Sequence, residues 1–136
     1  MASGEILTLE PSAIEAKGHA IECRLYAEDP ANRFFPKPGE IVTFEYPTGE
    51  NIRVDAAFTA PSTVTPYYDP MIAKLSVFAD NRKSAIERMT TLLSNTHIAP
   101  LTTNRDFLLE VMKASDYEQN NVDTTWLERF AKSLHA

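Results

Sequence analysis

GHAIECRLYAEDP, Gly18 to Pro30, alternates apolar and polar residues, with Ile21, Cys23 and Leu25 on one side and Glu22, Arg24 and Tyr26 on the other. A period of two is that of a half-buried strand, so the stretch predicts a strand with one side in a core. Arg24 then points away from that core. Glu22, two residues back, projects from the same face and can hold the guanidinium by a charge-assisted hydrogen bond. Two readings of the pair stay open at this level: an ordinary surface ion pair, or a fixed positive charge offered to a ligand.

Downstream, DPANRFFPKPG places three prolines among charges, a composition that permits loop and forbids helix or central strand. Glu40 to Tyr46 and Ile52 to Ala57 alternate again on either side of PTGEN, and are expected to pair as a hairpin. Arg53 and Asp55 share the outward face of the second of these strands. Pro61 to Pro66 forms another loop, leading through Tyr67, Tyr68 and Asp69 into the apolar run Met71 to Ala79, which reads as a strand buried over most of its length. The two tyrosines suit either the closing of a core or, with Asp69, the rim of a ligand site. Lys74 interrupts the apolar run and needs an acid or a route to the edge; Asp69 and Glu22 are the expected partners.

From Asp80 the period becomes 3.6. Asp80 or Asn81 caps a predicted helix over about 82–94, with Ala85, Ile86, Met89, Leu92 and Leu93 as its apolar stripe. An extended piece, Thr96 to Ala99, stops at Pro100. Thr102 or Thr103 caps a second helix with Phe107, Leu108, Val111 and Met112 inward, and Asp123 caps a third with Leu127, Phe130, Ala131 and Leu134 inward. Near the start, Ser12 and Glu15 form a capping box, which predicts a short helix over 12–17 ended by Gly18. Strands first and helices after argue an α+β fold, an antiparallel sheet followed by about three helices packed on one side.

A length of 136 residues with 43% hydrophobic suits one core. The net charge of −6 opposes nucleic acid or an anionic membrane as the main partner, so an anionic ligand has to be met by a local cluster of cations. The lone cysteine, Cys23, reads as a small core hydrophobe in a reducing compartment. No signal peptide and no run of about 18 apolar residues is visible. The four glycines form no phosphate-cradling loop, His19 and Glu22 fall on opposite faces of a strand, and His97 and His135 stand alone, so no metal site is expected. No nucleophile elbow occurs either.

GHAIECRLYAEDP with FFPKPGEI, then PYYDPMIAKL from Pro66 to Leu75, then TTNRDFL from Thr102 to Leu108, resembles in order the motifs of the biotin carboxylase C-terminal domain. That domain occurs in acetyl-CoA, propionyl-CoA, methylcrotonyl-CoA, pyruvate and urea carboxylases. The resemblance runs from about Ile6 to Phe130. It implies that residues 1–17 are the tail of a preceding ATP-grasp region and 18–134 the domain itself, so that the chain begins inside a larger protein. In the family, ATP activates bicarbonate to a carboxyphosphate that yields carbon dioxide, and the ureido nitrogen of biotin, borne on a carrier protein or domain, attacks it. Charge then develops on the ureido oxygen.

The resemblance assigns the contact with that oxygen to Arg24, oriented by Glu22; an aimed guanidinium is worth roughly a hundredfold or more in rate. Tyr68 and Asp69 match positions close to the biotin pocket, and Thr124 a position that touches adenine, usually isoleucine. Arg53 matches an arginine of the homodimer interface, although Glu50 stands where an apolar interface residue is found in one bacterial member. The groups that bind ATP, magnesium and bicarbonate are implied to lie mostly outside this chain, in the ATP-grasp region. A cytoplasmic location is implied, or the mitochondrial matrix in a eukaryote. The alternative is a non-catalytic structural or assembly domain that packs against an ATP-grasp neighbour.

Overall fold

Residues 3–134 are described by the computed structural model; Met1, Ala2, His135 and Ala136 lie outside them. In chain order the elements are β1 (His19–Tyr26), β2 (Glu28–Asp29), β3 (Phe35–Pro36), β4 (Gly39–Ile41), β5 (Thr43–Glu45), β6 (Ile52–Ala56), β7 (Ser62–Val64), β8 (Met71–Ala79), α1 (Arg82–Ser94), β9 (His97–Ala99), α2 (Arg105–Lys113), α3 (Ser115–Glu118) and α4 (Trp126–Leu134). Every ladder is antiparallel. The α+β expectation holds.

The long apolar run β8 is the centre of the main sheet, with β1 on one edge and β6 on the other. Period-two alternation then sorts the faces. Ile21, Cys23 and Leu25 of β1 are buried with Leu75 and Val77 of β8, and all of these but Leu25 join the α1 stripe of Ala85, Ile86, Met89, Leu92 and Leu93 in one apolar cluster. On the open face, Glu22 and Arg24 are exposed. The α1 bounds match the sequence expectation, and Asn81 is the cap, its side chain accepting from Ser84 N at 3.0 Å.

The expected hairpin does not form. β4 pairs with β7, β5 with β9, and β6 with β8. The local turn lost because β8 offers a free edge along a deeply buried strand, where Val54 and Ile52 sit opposite Leu75 and Val77; burial of apolar side chains outweighs a short-range turn preference. The expected helix over 12–17 shrinks to one 3-10 turn, Pro11–Ala13, and no residue of that turn is buried. Six residues with no apolar face to bury cannot sustain a helix. The helix expected after Asp123 is α4, which starts at Trp126; Trp126 is buried with Ala131, whereas Leu127 and Leu134 are 45% and 44% exposed.

Gly18 is a bend immediately before β1 rather than the end of a helix. Its φ is +67°, and a Cβ there would lie 2.6 Å from the Ala79 carbonyl oxygen, a backbone atom with little freedom to withdraw. Gly18→Ala is expected to cost at least about 2 kcal/mol from the left-handed backbone and the clash together, lowering the thermal midpoint by about 5–10 °C. Calorimetric melting of the variant checks this.

Cys23 is 4% exposed, and burial first, with the Glu22 charge second, pushes its thiol up to about 12. Its reaction with a thiol reagent at neutral pH is expected to be on the order of a thousandfold slower in the native protein than after denaturation. A stopped-flow comparison of the two states measures it.

Candidate functional site

Alternation on β1 places Glu22 and Arg24 side by side on the open face, with Arg24 Nε donating to Glu22 Oε1 at 3.4 Å and the Arg24 side chain 60% exposed. Hydrogen bonding by Glu22, then by Tyr26, raises the guanidinium's pKa above its ordinary value, so it is charged at every working pH. The sheet register sets Arg24 directly opposite Lys74, and Lys74 opposite Asp55 on β6. Two cations face to face repel one another. Glu22 flanks one and Asp55 the other, so the two cations are each offset by a carboxylate.

Lys74 thus faces Asp55 rather than the expected Asp69 or Glu22. The error has a simple origin, since which side chains meet across a sheet depends on register, which no local pattern encodes. Asp69 instead turns back on its own loop, its Oδ1 accepting from Met71 N at 2.8 Å. Tyr67 and Tyr68 are 85% and 84% exposed, which excludes the core-closing reading within this chain.

A groove of about 470 Å³ opens along the outer edge of β1, lined by Glu22, Arg24, Tyr26, Glu28, Asn104 and residues of α2. Glu28 has its pKa raised, by burial first and by the Asp69 carboxylate second, so Asp69 acts on the groove's lower end through its charge. Glu22 and Arg24 therefore meet in one groove, whereas Tyr68 and Asp69 are not among its lining residues.

The structure does not bring every expected residue to this groove. Arg53 is two strands away on the same open face, roughly 10 Å by strand spacing, held by Asp55 through bonds of 2.8 and 3.0 Å in a separate shallow hollow. Thr124 lies exposed in the turn before α4 and is not among the groove's lining residues. Beside it, Asp123 is held down to about 2 by the Arg129 guanidinium first and by Thr125 next, and its Oδ1 accepts from Thr125 N at 2.8 Å.

The sequence matches the family described as biotin carboxylase C-terminal domain over residues 22–129. The chain belongs to this family. Biotin carboxylase 2 of Bacillus subtilis is 40% identical over 129 residues, which is 95% of this chain and 29% of that protein. The mitochondrial methylcrotonoyl-CoA carboxylase subunit alpha of Rattus norvegicus is 38% identical over 98% of this chain and 19% of its own length. Among solved structures, the biotin carboxylase subunit of pyruvate carboxylase superposes with a TM-score of 0.91 at 38% identity, covering 96% of this chain and 29% of that one. The biotin carboxylase domain of Hydrogenobacter thermophilus 2-oxoglutarate carboxylase, solved with MgADP, ADP and bicarbonate, gives 0.90 at 38% identity over 94% of this chain and 28% of that one. This biotin carboxylase C-terminal domain thus spans less than a third of the length of the relatives it matches.

One residue of the domain's groove escaped the sequence reading. Asn104 sits where the second helix needs a cap, but its side chain makes no cap bond to α2; it reaches across to β1 instead. The asparagine was visible in TTNRDFL, and only the long-range packing of α2 on β1 reveals its use. Among the described residues, no helix is long and apolar enough to cross a membrane.

Proposed function

We propose that this chain is the C-terminal part of the biotin carboxylase component of a biotin-dependent carboxylase, which carboxylates carrier-bound biotin at the expense of ATP and bicarbonate. The observation that carries the reading is the Arg24 guanidinium, charged, exposed and hydrogen-bonded to Glu22 on the wall of the β1 groove.

Biotin, when bound, supplies a ureido group whose oxygen gains negative charge as its nitrogen loses a proton. Arg24 suits that oxygen because its planar fork of donors is aimed before the charge appears and cannot lose its proton. Glu22 restricts the rotamers of the guanidinium, and Lys74 across the ladder adds positive potential without occupying the same place. Tyr68 and Asp69 supply an exposed rim at the end of β8, with Asp69 orienting rather than transferring protons. Thr124 offers a weaker apolar contact to adenine than a branched alkyl side chain would.

The groups that hold ATP, magnesium and bicarbonate belong, in this reading, to an ATP-grasp region preceding residue 18. The exposed Ile6, Leu7, Leu9 and Ile14 fit it, since four apolar side chains on an extended segment are suited to packing against a neighbour. The other partners are a biotin carrier and a second copy of the enzyme, met through Arg53.

A second reading, a structural module without a catalytic role, draws on the 3.4 Å length and exposure of the Glu22–Arg24 pair, since such surface pairs are weak. Fixation of labelled bicarbonate onto biotin by the complete polypeptide tests the first reading. The isolated 136-residue chain is expected to show no carboxylation and no micromolar heat signal on titration with magnesium-ATP; tight binding would place a nucleotide site within the chain and contradict the division of labour.

A further inference from the structure

β1 is an edge strand, and its outer edge would ordinarily present free backbone groups to solvent. Asn104 occupies that edge as a substitute strand. Its Oδ1 accepts from Tyr26 N at 2.9 Å, its Nδ2 donates to Arg24 O at 3.1 Å, and its own backbone N–H donates to Tyr26 O at 3.2 Å. The residue is 6% exposed, so these bonds are shielded from water. They fall where the β1–β8 ladder is irregular, the register shifting between Leu25 and Tyr26, so the neighbouring strand holds this end of β1 least firmly. Thr103 takes over part of the capping, its Oγ1 accepting from Arg105 N at 3.3 Å.

From this geometry we propose that Asn104 is a positioning residue for the reaction: it fixes the backbone of Arg24 and thereby the aim of its guanidinium into the groove. The inference rests on the proposed function. A strand end free to shift by about 1 Å would move the guanidinium off the developing charge, and displacements of that size can cost about a hundredfold in rate. Only one end of the strand is released on losing Asn104, so a smaller loss, about tenfold in kcat for biotin with KM little changed, is expected.

The test uses the complete carboxylase, comparing Asn104→Ala, Arg24→Met and the double variant. The readouts are biotin-dependent carboxylation, the ratio of biotin-dependent to biotin-independent ADP formation, and the thermal midpoint. A positioning role predicts that Asn104→Ala lowers the ratio about tenfold in the parent enzyme but leaves the residual rate of Arg24→Met unchanged, since the group it aims is gone. The same fractional loss in both backgrounds, or a parallel loss of both ADP-forming activities, overturns the proposal in favour of a merely structural role. If the alanine variant fails to fold, Asn104→Asp keeps the acceptor for Tyr26 N and removes the donor to Arg24 O, and the same comparison applies. Full activity of Arg24→Met would overturn the functional reading itself; loss with Arg24→Met but full activity with both Asn104 variants would overturn the positioning role alone.

Discussion

Arg24→Lys is expected to lower biotin carboxylation by the complete enzyme roughly a hundredfold while leaving ATP affinity and the thermal midpoint unchanged. Lysine keeps the positive charge but replaces a rigid, planar set of donors with a compact ammonium on a flexible stem. If charge alone mattered, the neighbouring Lys74 would already supply much of it, and the substitution would be mild. The large loss therefore tests directional hydrogen bonding specifically. Stability is expected to hold because the Arg24 side chain is 60% exposed and its single carboxylate partner lies at 3.4 Å. Steady-state kinetics with free biotin, alongside melting and nucleotide titration, separate these quantities. Unchanged carboxylation in a stable variant would leave only the structural-module reading.

Leu75→Ala is expected to be the most destabilising of the simple core truncations, by about 3–5 kcal/mol. Leu75 is fully buried at the middle of the central strand, with Cys23 opposite it on β1 and Val54 opposite it on β6. Removing its isobutyl group leaves a cavity beneath the sheet, in the apolar cluster shared with Met89, Leu92 and Leu93 of α1. Strands on both sides and a helix below restrict collapse of the site, which is why the upper part of the range applies. Urea denaturation should show a lower midpoint at an unchanged slope, the sign of altered stability without altered compactness of the unfolded chain. A loss below about 1 kcal/mol would mean that the core around β8 repacks freely, contrary to the close packing described.

Local patterns carried much of the fold. The alternation in HAIECRLY and the stripe in AIERMTTLL each describe an element whose burial is decided by its own period, and β1 and α1 stand where that period puts them. Pairing was not legible. Ile52 to Ala56 is a good strand in isolation, yet its partner is β8, a choice made by apolar surface far along the chain rather than by the turn beside it. The 12–17 segment had the capping residues of a helix but no buried face to stabilise one.

The site divides the same way. Outward exposure of Arg24 and Glu22 follows from alternation alone, and the role proposed for them from the resemblance to the family motif. The Lys74–Asp55 neighbourhood and the grip of Asn104 on β1 required register and helix packing, because an asparagine ahead of a helix ordinarily reads as that helix's own cap. Tyr68 was ambiguous for want of burial, and its exposure removes the core-closing reading.

The most direct measurement is a structure of the complete enzyme with biotin, bicarbonate and magnesium-ADP bound. The account predicts the ureido oxygen within about 2.7–3.1 Å of the Arg24 guanidinium, on the open side of β1. Biotin seated elsewhere, with Arg24 turned to solvent or paired only with Glu22, would contradict it.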